Sequence, residues 1–235
     1  MSFFNAETTS LDVAATLSGQ IKGKTILITG CSPSSLGVVT ARASASQNPG
    51  LLVLAGRSEA MLIETEKKLK SEFPKANIRL LIFDLADLRS VRAAAAEVNS
   101  YQETLDVLIN NAAVMACPYQ KSVDGLETHL VTNHLGPFLF TNLLLSKAVK
   151  GSGLRVVNVT SGAFKMGGVD WENPNPESET SYNKFAAYAQ SKTANILFAY
   201  ALAEKLGEKG VVSFSADPGG RLLHILKIQR LMHLL

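Results

Sequence analysis

The sequence is poor in several things, and each shortage narrows the reading. It has only two cysteines, Cys31 and Cys117, far apart and without metal or redox spacing, so a reducing compartment suits it. It lacks an excess of one charge. Lys and Arg number 23 against 20 Asp and Glu, and the basic residues are scattered, which argues against nucleic acid as a partner. No apolar run approaches the roughly 20 residues needed to cross a bilayer, so no transmembrane segment is expected. The first residues, Met-Ser-Phe-Phe-Asn-Ala-Glu-Thr-Thr-Ser, lack the basic and apolar regions of a secretory signal. The expected location is cytoplasmic. The four histidines have no ligand spacing, so no metal is expected. His129 and His134 point to different faces of a helix and read as structural or solvent-facing.

What is present is apolar periodicity. Hydrophobic residues make up 46% and charged residues 18%, the balance of a globular chain with one large core. Residues 1–20 read as an amphipathic arm. Strands are predicted at 25–29, 51–55, 78–83, 105–109, 154–160 and 211–215, each a short apolar run rich in Val, Ile and Leu. Helices are predicted between them: 36–47, then 58–73 capped by Ser58 and stopped before Pro74, and 87–99 capped by Asp87. A long helix over 125–150, kinked at Pro137, and an alanine-rich helix over 185–206 follow. Repeated strand–helix alternation means an α/β fold, a doubly wound Rossmann-type parallel sheet in one domain. The expected domain spans 21–220, and 221–235 forms a separate amphipathic tail.

In such a sheet, ligands sit beyond the carboxyl ends of the strands at the switch in strand order. After the first strand comes Thr29-Gly30-Cys31-Ser32-Pro33-Ser34-Ser35-Leu36-Gly37. This is either an ordinary connection or a small-residue turn bringing a pyrophosphate onto a helix N-terminus. After the second comes Gly56-Arg57, with no acid for a ribose 2′-hydroxyl. Arg57 is either a solvated surface residue or a fork for a 2′-phosphate; its place 20 residues past Gly37 favours NADP(H). Asp84-Leu85 follows the third strand, Asn110-Asn111-Ala112-Ala113 the fourth, and Thr160-Ser161-Gly162 the fifth. The next helix carries Tyr188 and Lys192 four residues apart, on one face. An ammonium beside a phenol would lower the tyrosine pKa.

These residues resemble the short-chain dehydrogenases/reductases. The motifs that carry the resemblance are Thr29-Gly30…Gly37, Asp84-Leu85, Asn110-Asn111-Ala112-Ala113, Asn133, Val157-Asn158-Val159-Thr160-Ser161, Tyr188-Ala-Gln-Ser-Lys192 and Asp217-Pro218-Gly219. They fall in the family's order over about residues 20 to 219, and the wording around Asn133 and Tyr188 looks most like its retinol-dehydrogenase-like and fungal branch. The resemblance implies an oxidoreductase in which Tyr188 is the general acid and Lys192 lowers its pKa and binds the nicotinamide ribose. Ser161 would hold the substrate oxygen, and Asn133 a water in a proton relay. Gly30, Ser32, Ser35, Leu36, Gly37, Arg57, Asp84, Leu85, Asn110, Ala112, Pro218 and Gly219, with Tyr188 and Lys192, would hold the dinucleotide. The substrate would be a small-molecule carbonyl or alcohol.

Two departures qualify this expectation. The phosphate loop lacks the family's middle glycine, and a left-handed serine there costs about 1 kcal/mol more than glycine. That predicts weakened cofactor affinity. After Pro218-Gly219 the pattern stops, where members continue with a substrate-covering segment and a seventh strand. Residues 221–235 instead read as a basic amphipathic helix that lies over the pocket, pairs with another chain, touches a membrane surface or makes no specific contact. An alternative function is therefore a catalytically silent nucleotide-binding or interaction protein. The Tyr188 helix is apolar on almost every side, which predicts a homo-oligomer formed through it.

Overall fold

The short apolar runs form the six strands of one parallel sheet, and the polar, capped segments between them form its helices. The structure is a computed structural model, described for residues 4–5, 7–148 and 153–219. Two short helices, α1 (Ser10–Thr16) and α2 (Ser18–Ile21), precede β1 (Thr25–Thr29). Then come α3 (Leu36–Ala45), β2 (Leu51–Gly56), α4 (Glu59–Glu72), β3 (Ile78–Ile82), α5 (Leu88–Ser100) and β4 (Val107–Asn110). Helix α6 (Thr128–Leu130) passes through a π-helical segment (Val131–Leu135) into α7 (Gly136–Ala148). The chain continues through β5 (Arg155–Val159), α8 (Lys184–Leu206) and β6 (Val212–Ala216).

The strand order is β3-β2-β1-β4-β5-β6, every neighbouring pair parallel. The chain winds outward from β1 to β3, then returns to the other side of β1 with β4. That reversal opens a crevice beyond the ends of β1 and β4. Strands β1 and β4 are buried throughout, as a sheet covered on both faces requires. One apolar cluster packs Val13, Ile21, Ala41 and Leu69 against Ile26, Ile28, Leu52 and Leu54. The other packs Phe140, Leu144, Phe198 and Leu202 against Leu27, Leu108 and Val156.

Caps fix the helix starts. Ser58 accepts from Met61 N–H, and Asp87 from Arg89 and Ser90 N–H, as expected. The arm packs onto the domain: a Thr9–Asp12 capping box starts α1, and Val13 and Ala14 are fully buried. The helix expected from 125 begins only at Thr128, because the Glu127 carboxylate accepts from His129 and Leu130 N–H and caps it there. Its distortion also comes earlier than Pro137. Gly136 N–H reaches back to Val131 O, a π turn ahead of the residue that has no N–H to give. The amphipathic segment 221–235 lies outside the described residues, as does anything that follows Gly219.

Candidate active site

The ends of β1, β2, β4 and β5, with one face of α8, enclose a cleft of about 780 Å3. Its floor is a cross-link between β1 and β4. Thr29 Oγ1 accepts from Asn111 and Ala112 N–H at 3.0 Å each, and the Asn111 amide donates to Thr29 O at 2.8 Å and Gly30 O at 3.2 Å. On one side stands the N-terminus of α3. Ser35 caps it, its hydroxyl accepting from Val38 N–H and donating to Gly30 O. The glycine at the second position of α3 is dictated by contact: a methyl on Gly37 would stand 2.4 Å from Gly30 O. Ser34 takes the left-handed conformation, φ 65°, that the missing glycine would have adopted without cost.

Gly30, Ser32, Ser35, Leu36, Arg57, Asp84, Leu85, Ala112, Pro218 and Gly219 all line the cleft, together with Ser161, Tyr188 and Lys192. Arg57 is largely exposed, 3.8 Å from the Asp84 carboxylate, a loose surface pair that leaves its fork available.

Three expected residues do not line it. Gly37 lies behind the loop as a packing position. Asn110 is buried with its amide on Thr141 Oγ1 and Asn158 Oδ1, so it joins β4 to β5 and faces away from the cleft. Asn133 gives its side chain to the wall: it accepts from Val114 N–H and donates to Val114 O and Ser191 Oγ. Val114 lines the cleft, so Asn133 shapes the site by holding that residue.

The catalytic candidates meet on the opposite wall. Ser161 follows β5 by two residues, and it lines the same wall as Tyr188, near enough that its hydroxyl favours the phenolate. Lys192, 2% exposed, donates to Val159 O at 3.0 Å, and its Nζ lies 5.6 Å from the Tyr188 ring centre. The expected lowering of the tyrosine pKa is not what this arrangement gives. Burial raises Tyr188 above its usual 10, the Ser161 hydroxyl opposes the rise, and the nearby Asp217 charge adds to it. The same burial lowers Lys192 to about 8.

Beneath Tyr188 lies a buried polar network that the spacing of residues gave no reason to expect. His129 Nδ1 is 2.7 Å from Glu127 Oε1 and 3.0 Å from the Tyr182 hydroxyl, which itself donates to Cys117 O at 2.9 Å. The Glu127 carboxylate can only accept, so Nδ1 carries a hydrogen that it gives to Glu127, the nearer partner, and at most shares with the Tyr182 oxygen. Burial pushes the Glu127 carboxyl up, but hydrogen bonds from His129 and the backbone outweigh it and hold it below the usual range. The His129 ring meets Tyr188 edge-on, centroids 6.1 Å apart. His129 is therefore structural and fully buried, not solvent-facing.

The family described as short chain dehydrogenase matches residues 24–173. The chain belongs to the short-chain dehydrogenase/reductase family. It is 37% identical to oxidoreductase fscI of Fusarium equiseti, over 93% of this chain and 95% of that one. It is 40% identical to human retinol dehydrogenase 12, over 85% of this chain but 62% of that protein's length. An uncharacterised protein from Mycobacterium paratuberculosis superposes with a TM-score of 0.73 at 37% identity, covering 86% of this chain and 70% of its own. An Escherichia coli short chain dehydrogenase complexed with NADPH shares the fold, with a TM-score of 0.67 at 21% identity over 85% of this chain and 78% of its own. The family is one of oxidoreductases that use nicotinamide cofactors. No described helix is long and apolar enough to cross a membrane.

Proposed function

We propose that the protein interconverts a carbonyl and an alcohol with NADP(H), on a small or medium apolar substrate. The observation that carries this is convergence: Ser161, Tyr188 and Lys192 occupy one wall of the same cleft whose other wall is the α3 N-terminus with Arg57 beside it. The donor set fits a phosphorylated dinucleotide. Free N–H groups of a helix's first turn suit a pyrophosphate, and an exposed guanidinium suits a 2′-phosphate. When bound, the nicotinamide supplies or accepts the hydride.

The chain's own residues handle the proton. In reduction, Tyr188 gives its hydrogen to the carbonyl oxygen as charge develops there, and Ser161 donates a second hydrogen bond to that oxygen. In oxidation the phenolate takes the alcohol proton. Lys192, anchored on Val159 O, keeps further N–H donors for the cleft and stabilises the phenolate at the moment it forms. Phe83, Leu85, Val114 and Met115 give the cleft apolar walls, which supports an apolar substrate.

Exposed Phe138 on α7 and Phe185, Leu197 and Tyr200 on α8 support a homo-oligomer through the α8 face. The two free cysteines support a reducing compartment such as the cytoplasm. The test is NADPH oxidation against a panel of ketones and aldehydes, repeated with NADH. Turnover with NADPH preferred supports the reading. NADPH binding without turnover on any carbonyl, or of any alcohol with NADP+, contradicts it and leaves a silent nucleotide-binding protein. Light scattering that gives a monomer would remove the oligomer.

A further inference from the structure

Helix α4 buries one stripe, Leu62, Thr65 and Leu69, and the two leucines join the core cluster with Leu52 and Leu54. Thr65 is the exception, a fully buried hydroxyl between them. A threonine inside a helix commonly turns its hydroxyl onto its own preceding turn, as Thr40 does onto Leu36 O. Thr65 instead reaches out of its helix and donates to Cys31 O at 2.8 Å, in the loop after β1. Among the described residues no other group donates to that carbonyl.

That one bond decides which way a peptide faces. A planar trans peptide sets its N–H opposite its C=O, and no cis bond occurs among the described residues. The Cys31 carbonyl is aimed at α4, so the Ser32 N–H of the same peptide points away from α4. Ser32 lines the cleft, and among the described residues its N–H has no partner. Its neighbours in the loop have nothing to offer. Gly30 and Cys31 N–H are both spent on Ala55 O, at 2.8 and 3.2 Å, and Pro33 has no N–H.

We infer that Thr65 is a positioning residue for the cofactor: its hydroxyl holds the Cys31–Ser32 peptide so that the Ser32 N–H is presented to the pyrophosphate. The inference rests on the function proposed above and gives α4 a part in both ends of the dinucleotide site. Arg57 stands two residues before α4, and Thr65 stands in its second turn. One helix thus ties the fork for the 2′-phosphate to the loop for the pyrophosphate.

The test is Thr65→Val in the full chain, which keeps the branched shape and removes the hydroxyl, beside Thr65→Ser, which keeps the hydroxyl. Dissociation constants for NADPH and for NADH are read by fluorescence titration, well below the melting temperature of each variant. Both rise about tenfold in Thr65→Val, the loss expected for one hydrogen bond to a charged group, because the pyrophosphate is common to the two cofactors. Thr65→Ser binds both as the wild type does. A packing role alone would lower the melting temperature of Thr65→Val and leave both dissociation constants in place, and that result overturns the inference. So does a loss confined to NADPH, which would put the effect at the 2′-phosphate, or a Thr65→Ser as weak as Thr65→Val. Should Thr65→Val fail to fold, amide exchange in the wild type and Thr65→Ser decides: Ser32 N–H exchange slows on saturation with either cofactor, and an unchanged rate overturns the inference. A wild type that binds both cofactors but turns over no carbonyl defeats the proposed function, while the same binding measurements still decide the role of Thr65. A wild type that binds neither cofactor overturns both.

Discussion

The two walls of the cleft are built by different means. The β1–α3 wall is made of backbone and small residues: Gly30, Ser32, Ser34 and Ser35 offer close approach, and Gly37 is fixed by a carbonyl 2.4 Å from where a methyl would be. The β5–α8 wall is made of side chains with chemistry: Ser161, Tyr188 and Lys192, buried or half-buried, with Ser161 accepting from Ala163 N–H and Lys192 anchored on Val159 O. The difference teaches that substitutions on the first wall should change how tightly the cofactor binds, and those on the second how fast the reaction runs.

Lys192→Met attacks the second wall hardest. Hydride transfer should fall about a hundredfold or more, the usual scale for losing an electrostatic stabiliser. Stability should move the other way. Lys192 titrates near 8 when folded against 10.5 unfolded, so the unfolded chain holds the proton more tightly. The penalty of burying the charge is complete below pH 8 and fades as pH rises to 10.5. Lys192→Met should therefore raise the melting temperature at neutral pH, with the gain shrinking in alkali; a gain independent of pH would contradict the cause.

Gly37→Ala is the sharpest probe of the first wall. The added methyl meets Gly30 O, and such overpacking costs about 1–3 kcal/mol in denaturant unfolding. NADPH affinity should fall with it, because Gly30 and the α3 N-terminus are displaced together. Arg57→Ala should weaken NADPH binding about tenfold while leaving NADH binding unchanged, as loss of one charge-assisted contact predicts. Equal weakening for both would mean that Arg57 is a general surface charge. Ser34→Gly should be the smallest change and of opposite sign. Relieving a left-handed serine stabilises the fold by about 1 kcal/mol and tightens NADPH binding a few-fold at most. A tighter-binding variant with altered hydride transfer would break the division between the walls.

The fold was legible because it follows from apolar periodicity and caps. All six strands lie where the Val, Ile and Leu runs put them, and Ser58 and Asp87 start their helices. The left-handed cost at Ser34 was legible too, since a missing glycine leaves the backbone path unchanged. Side-chain direction at strand ends was not. Asn110 and Asn111 are adjacent and identical, yet the first points into the sheet and the second into the cleft, a choice set by register with β1 and β5. The start of α6 was missed because Glu127 caps it from within the sequence Leu126-Glu127-Thr128, where helix propensity gives no boundary. The effect of Lys192 on Tyr188 was misjudged because spacing of four residues reports a shared face but not shared burial, and burial here shifts both groups against their charged forms.

The most direct test of the account is single-turnover hydride transfer from saturating NADPH in Tyr188→Phe, measured beside the NADPH dissociation constant of the same variant. The account predicts transfer slower by about a thousandfold with the dissociation constant unchanged. Transfer at the wild-type rate would show that the phenol beside Ser161 is not the proton donor.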